Sequence, residues 1–329
     1  MTTNDPVRWG IVGTGGIARR TVGDLRALPE CAVAAVASRA QLSADAFAAE
    51  HGIALAYGDR GEMFSSGEVD AVYIGTPHTS HYAIAREAML AGLHVVCEKP
   101  LSMTSGEAEE LGALARERGV LLLEGMWMSF SPAMRRTLEI LRSGEVGEPR
   151  ILQAGLGFAV PAQARRYWDP ELGGGALFDM GVYTITLACL VLGDVVAVEA
   201  QGHLQADGVD LEEAITLRFA DSGLAQLMTS IVSFVPPRGW IGGTKGSIHL
   251  GERLFSPSSI TVAVGRPPAP PEVRDEVFEQ EGAGYLPMFR AAVEAIRAGW
   301  VEHPVHPHAR TVDVLRTMET VQAALRSSD

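Results

Sequence analysis

Val7-Arg8-Trp9-Gly10-Ile11-Val12-Gly13-Thr14-Gly15-Gly16-Ile17-Ala18 is the stretch whose reading decides the fold. It opens with a short apolar run ending on glycine, and the residues after Gly15 carry apolar groups at helical spacing through Leu28, so it reads as strand, tight turn, helix. A GxGxxA pattern in that setting lets the chain turn sharply, brings backbone close to a pyrophosphate and aims helix N–H groups at it. The small Ala18 permits close helix packing. Gly13, Thr14, Gly15, Gly16, Ile17 and Ala18 are therefore candidate contacts to a dinucleotide.

Outward from this turn the rhythm repeats. Strands are expected over 32–37, 70–75, 94–97 and 120–123, with helices over 42–51, 80–91 and 104–119 between them. Alternation of this kind predicts a doubly wound parallel sheet, a Rossmann domain over 1–123. After Glu124 the pattern changes. A helix over 132–142 precedes strand-like segments at 150–158, 195–205, 213–219, 224–233, 246–250 and 259–264, with one long helix over 176–192 between the first two. Consecutive strands predict a second, α+β domain over 124–329 with a large open, mostly antiparallel sheet. The proline-rich stretch 266–271 is expected to be a surface loop, and helices over 285–298 and 309–327 close the chain.

Composition excludes several functions. The 329 residues carry 40 acidic and 27 basic side chains, a net charge of −13, which repels nucleic-acid phosphates and anionic membranes. No basic-then-apolar leader opens the sequence, and no apolar stretch reads as a span of the roughly 20 residues a bilayer requires, so a cytoplasmic protein is expected. Three widely spaced cysteines, Cys31, Cys97 and Cys189, suggest neither a disulfide framework nor a metal site. Among the 27 basic residues only Lys99 and Lys245 are lysines. Wherever a plain positive charge suffices this chain uses arginine, which makes a surviving lysine informative.

The end of the second strand discriminates between cofactors. An acidic residue there accepts from the ribose 2′-hydroxyl of NAD, whereas the 2′-phosphate of NADP needs cations and donors. Here stand Ser38 and Arg39. An arginine grips a phosphate with paired charge-assisted hydrogen bonds, so NADP(H) is favoured, with NAD(H) as the second choice. Thr76, Pro77 and His78 follow the 70–75 strand at the sheet edge where ligands of open α/β sheets bind. With His81 nearby, they are expected to line the cofactor. His78 and His81 have no third ligand close in sequence, so no metal is expected. Glu98, Lys99 and Pro100 end the 94–97 strand at the same edge, and the proline fixes the lysine's backbone, through restriction to an extended form or through a cis bond. Unlike arginine, a lysine in a partly dry cleft can release a proton. Lys245, flanked by glycines, reads as a turn lysine.

The run Leu172-Gly173-Gly174-Gly175-Ala176-Leu177-Phe178-Asp179-Met180-Gly181-Val182-Tyr183 carries the remaining chemistry. Three glycines before a helix allow backbone to approach a ligand, and Asp179 and Tyr183, four apart, share a helix face. A phenol beside a cation exchanges a proton with a substrate oxygen, and a carboxylate orients a hydroxyl. The tract His303-Pro304-Val305-His306-Pro307-His308 has no acidic or cysteine partner beside it in sequence and is expected to be a rigid loop.

Taken together, the glycine turn, Thr76-Pro77, Glu98-Lys99-Pro100 and the glycine-rich helix with Asp179 resemble the glucose–fructose oxidoreductase / inositol dehydrogenase / MocA (Gfo/Idh/MocA) family, along almost the whole chain. Many members carry histidine where this chain has Tyr183. That departure, with Glu124-Gly125-Met126-Trp127, resembles the branch of dimeric dihydrodiol dehydrogenases and NADP-dependent xylose dehydrogenases. The resemblance implies catalysis by Lys99 and Tyr183 with Asp179 assisting, and a sugar, polyol or vicinal diol as substrate. It further implies a cofactor surround that includes Glu98, Pro100 and Trp127, and a substrate side lined by Trp127, Phe158, Arg166, Trp168 and Tyr183. A homodimer or homotetramer through the C-terminal sheet is implied as well. Two other activities fit the same family pattern: an NAD(H)-dependent glycosidase, and a non-catalytic nucleotide or sugar sensor.

Overall fold

The computed structural model describes residues 5–265 and 268–328, so Met1–Asn4, Arg266 and Pro267 at the head of the proline-rich stretch, and Asp329 lie outside it. The chain divides into two compact units: the chain up to Trp127 together with Glu281–Thr311, and Met128–Gln280 together with the chain from Val312 onward. A single cut after Leu123 therefore does not describe the division, because the chain returns to the first unit.

In the first unit six parallel strands, β1 (Val7–Val12), β2 (Cys31–Ala37), β3 (Leu55–Tyr57), β4 (Ala71–Ile74), β5 (His94–Glu98) and β6 (Leu122–Gly125), stand in the order β3-β2-β1-β4-β5-β6. This is the doubly wound arrangement, with its reversal between β1 and β4. The central strands are buried on both faces, which accounts for their unbroken apolar runs. Helices α1 (Gly16–Ala27), α2 (Gln41–His51), α3 (Arg60–Ser65), α4 (His81–Leu90) and α5 (Ser105–Arg118) make the crossovers. From the returning segment, α8 (Leu286–Ala298) brings Phe289 edge-on to Trp9 and Tyr73, with ring centroids 5.7 and 5.6 Å apart.

The second unit is built on eight strands: β7 (Pro149–Gly157), β8 (Val195–Leu204), β9 (Asp210–Phe219), β10 (Leu224–Ser230), β11 (Gly239–Gly243), β12 (Gly246–Leu250), β13 (Ser259–Val264) and β14 (Glu272–Val277). Their order is β14-β13-β12-β11-β7-β10-β9-β8, antiparallel throughout except for the β7–β10 pair. One face packs on α6 (Pro132–Ser143) and α7 (Val182–Leu192) and alternates Ile215, Leu217, Leu227 and Ile241 inward. The opposite face leaves Met228 half exposed. The sequence reading missed β3, α3, β11 and β14, and it did not foresee that β7 and β10 run parallel. The stretch Pro170–Leu192 corrects a further expectation: it is long and apolar enough to cross a membrane, yet 89% of its most apolar window is buried inside the fold. It is a core element. The last helix, α9 (His308–Ser328), begins in the first unit and continues into the second.

Candidate active site

At the carboxyl edge of the parallel sheet, the turn after β1 divides the labour of its glycines. Gly13 has φ +104°, and a Cβ there would come within 2.8 Å of the Gly75 carbonyl, so the turn requires glycine. Gly15 and Gly16 meet nothing within 4 Å of their would-be Cβ positions, and both are exposed. Gly15 stands at the N-cap of α1, and the first turn of α1 holds no acid to compete for its N–H groups. A cradle of this form suits a pyrophosphate. Ala18 is fully buried, as close helix packing demands, and Thr14 accepts from Arg19 Nη1 at 2.8 Å. Ser38 and the exposed Arg39 follow β2.

Thr76, Pro77 and His78 lie just beyond β4, across the strand-order reversal from the glycine turn. Thr76 Oγ1 accepts from Ser80 Oγ at 2.8 Å. His81 is fully buried, its Nδ1 2.8 Å from the Pro100 carbonyl and its Nε2 2.9 Å from that of Thr76. Burial lowers its pKa against the pull of those carbonyls; the neutral ring donates to one of them, and only the imidazolium donates to both. In that turn the Lys99–Pro100 peptide is cis, and Lys99 is only 8% exposed, far from the surface lysine that charge alone would explain. Lys245 sits exposed in the β11–β12 turn. Glu98, also buried, accepts from Tyr73 Oη at 2.7 Å.

A buried group holds the residue after the cis proline. Glu124 Oε1 accepts from the Leu101 N–H at 2.9 Å, and its Oε2 takes His306 Nε2 and Thr311 Oγ1, each at 2.8 Å. Burial pushes the Glu124 carboxyl up, but His306, Thr311 and the Leu101 N–H outweigh it and hold it below its ordinary value. The histidine tract thus does have an acidic partner, brought from 182 residues away. Among the described residues no group of three or more His, Cys, Asp or Glu side chains could hold a metal ion. Trp127 is 4% exposed and stacks on Tyr285 with centroids 4.7 Å apart, so core packing dominates its surroundings.

In the second unit the glycine run has a structural cause that the sequence did not disclose. A Cβ on Gly174 would lie 2.7 Å from the Tyr167 carbonyl, and one on Gly175, at φ +119°, would collide with the Asp210 carboxylate. The backbone the glycines approach is the chain's own. The expected long helix begins as a π-helix over Leu177–Gly181 and becomes α7 only at Val182. Such insertions concentrate at functional sites. Asp179 stands in the π turn and Tyr183 in α7, the tyrosine 7% exposed with its ring 5.7 Å from Phe255. Arg166 pairs with Asp179 at 3.1 Å, hydrogen-bonds the Tyr167 hydroxyl and lies 4.0 Å over the Tyr167 ring. Trp168 Nε1 donates to the Pro161 carbonyl at 3.1 Å, and Phe158 is 39% exposed. Sequence reasoning passed over Tyr167, Phe255, Asp210 and Glu213. For Glu213 a signal existed: it occupies the inward position of an alternation that continues through Ile215, Leu217 and Phe219.

Comparison with known proteins agrees with this architecture. The model described as oxidoreductase family, NAD-binding Rossmann fold, matches residues 7–126, and the GFO/IDH/MocA C-terminal domain matches 134–249. Trans-1,2-dihydrobenzene-1,2-diol dehydrogenase of Mus musculus is 32% identical over 97% of both chains, and that of Homo sapiens 31% over 97% of both. The crystal structure of KijD10, a 3-ketoreductase from Actinomadura kijaniata in complex with NADP and TDP-benzene, is similar at a TM-score of 0.87 and 29% identity, covering 98% of each chain. An aldose-aldose oxidoreductase from Caulobacter crescentus shares the fold, with a TM-score of 0.87 at 23% identity. Two matched domains in sequence order, with relatives aligned along nearly the whole length, show that this chain is an oxidoreductase of the Gfo/Idh/MocA family.

Proposed function

We propose that the protein transfers a hydride between NADP(H) and a carbon bearing a hydroxyl or carbonyl group in a vicinal diol or sugar. The observation that carries this reading is the buried Lys99, one of two lysines in the chain, set at the same carboxyl edge of the parallel sheet as the open glycine cradle. The residues fit a dinucleotide: Gly15 and Gly16 leave space where a pyrophosphate approaches, and Arg39 lies exposed where a 2′-phosphate would sit. When bound, the nicotinamide supplies the hydride donor or acceptor. Tyr183 exchanges the proton of the reacting oxygen, the Lys99 ammonium favours the phenolate, and Asp179 orients the substrate hydroxyl. The trans-diol dehydrogenases and the ketoreductase among its relatives support diols and sugars as the substrate class. The half-exposed face of the second sheet, around Met228, is the proposed contact between copies of the chain.

NADPH absorbance followed over trans-1,2-dihydrobenzene-1,2-diol, aldoses, inositols and keto-sugars tests the proposal. Net NADP(H) turnover is expected, which a glycosidase or a sensor does not give. Tyr183→Phe is expected to lower turnover by about 10²–10⁴-fold while NADPH still binds. Unchanged turnover in that variant refutes the assignment.

A further inference from the structure

Asp210 and Glu213 on β9 are 4% and 2% exposed, and neither has an ion-pair partner among the described residues. Their surroundings are those of a device that holds the π turn. Asp210 Oδ2 accepts from the N–H of Leu177, the first residue of that turn, at 2.5 Å. Gly175, two residues earlier, has φ +119°, and any Cβ there would collide with Asp210 Oδ1. At the far end of the turn a Cβ on Gly181 would come within 3.4 Å of Glu213 Oε1. Asp210 thus binds the beginning of the turn that carries Asp179, and Glu213 lies beside the space next to Gly181 at its end.

Chemistry decides how two such groups coexist. Adjacent carboxylates buried without a cation cannot both be charged, so the pair holds one proton. Glu213 Oε1 accepts from the Thr229 hydroxyl, whereas its Oε2 is buried without a hydrogen-bond partner, which costs a neutral carboxyl far less than a carboxylate. Burial, followed by the Asp210 charge, pushes Glu213 well above the usual carboxyl range. Asp210 is raised by burial too, but backbone N–H groups, that of Leu177 foremost, oppose the rise. The proton belongs on Glu213, and the charge on Asp210 caps the turn.

We infer that Asp210 and Glu213 are positioning residues: the proton on Glu213 leaves the pair's single charge on Asp210, which stays bound to the Leu177 N–H and so sets the helical phase at which Asp179 and Tyr183 are presented. This inference rests on the reaction proposed above. The protonated acid does no chemistry on substrate. Without it the Asp210 charge is left buried and unsupported, and the turn relaxes toward regular α geometry, rotating Asp179 relative to Tyr183.

The test compares wild type, Glu213→Gln, Glu213→Leu and Tyr183→Phe, assayed with NADP⁺ and trans-1,2-dihydrobenzene-1,2-diol or the most active substrate of the panel, at a temperature where each is folded. The infrared spectrum of the wild type is expected to show the C=O band of a buried protonated carboxyl, which Glu213→Gln removes. The glutamine side chain is neutral, has the shape of the acid and keeps an oxygen for the Thr229 hydroxyl, so kcat in Glu213→Gln stays within about threefold. Glu213→Leu lacks the acceptor of the Thr229 hydroxyl and is expected to lose about tenfold or more in kcat with an unchanged KM for NADP⁺, the pattern of displaced reacting groups rather than lost cofactor binding. Absence of the band overturns the protonated Glu213, and this result stands even if Glu213→Leu does not fold. A full kcat in Glu213→Leu alongside a crippled Tyr183→Phe overturns the positioning role alone. Full turnover by Tyr183→Phe overturns the reaction reading, and the positioning role falls with it.

Discussion

Replacing Glu124 by alanine removes the acceptor of three buried hydrogen bonds at once, to Leu101, His306 and Thr311. The three partners are 1%, 1% and 2% exposed, so water does not replace the lost acceptor, and the His306 ring is left without its acid. Leaving several buried polar groups without their charged acceptor costs about 3–5 kcal/mol, which at the usual entropy of unfolding for a chain of this length lowers the melting temperature by roughly 4–7 °C. Glu124→Gln keeps an oxygen for the Leu101 N–H and loses only the charge-assisted part, about 1–2 kcal/mol. Because the folded carboxyl titrates below its ordinary 4.5, its contribution is present above that pH and fades as pH falls through the folded value. The gap between wild type and Glu124→Ala should therefore narrow in acid. Urea unfolding of the three proteins between neutral and acidic pH, followed by intrinsic fluorescence, measures this. A deficit for Glu124→Ala below about 1 kcal/mol at neutral pH would falsify the argument that this carboxylate ties the cis-proline turn to the returning segment.

Three further outcomes are expected. Gly13→Ala must place a Cβ 2.8 Å from the Gly75 carbonyl at φ +104°, and is expected to lose about 1–3 kcal/mol or more of stability; Gly15→Ala, with open space around it, should melt like wild type yet bind NADPH more weakly in a fluorescence titration. Arg39→Ala should weaken NADPH binding by about 10–100-fold and leave NADH nearly unchanged, from the typical strength of an arginine–phosphate hydrogen-bonded pair; equal losses for both nucleotides exclude a 2′-phosphate role. Burial is the main cause that lowers the pKa values of His81, His94 and His308 from 6.5, so the unfolded chain takes up protons that the folded chain refuses. Stability is then full above about pH 6.5 and declines as pH falls below it, and unfolding midpoints that stay flat between pH 7 and 5 contradict this.

Much of the first unit was readable in the residues themselves. Buried parallel strands demand unbroken apolar runs, a tight strand-to-helix turn demands glycine, and both demands are local, so β1, the Gly13 turn and the edge position of Lys99 followed directly from the order of residues. The elements that escaped have weak local signals. β3 has three residues, β11 is the glycine-rich Gly239–Gly243, and β14 is a charged edge strand whose Arg274 and Glu276 pair with Glu145 and Arg136 on the same unit. The candidate site divides in the same way. Residue type pointed to Lys99, Asp179 and Tyr183, because a rare lysine and a polar pair on an apolar helix stand out in the chain. Tertiary packing alone decided that Lys99 is buried, that His306 meets Glu124, and that Gly174 and Gly175 make room for the Tyr167 carbonyl and the Asp210 carboxylate. It also decided that the helix opens with a π turn. A sequence records which groups are available and what the backbone near them can do. Which charge faces which across a fold is settled by long-range pairing, and long-range pairing leaves no spacing to read.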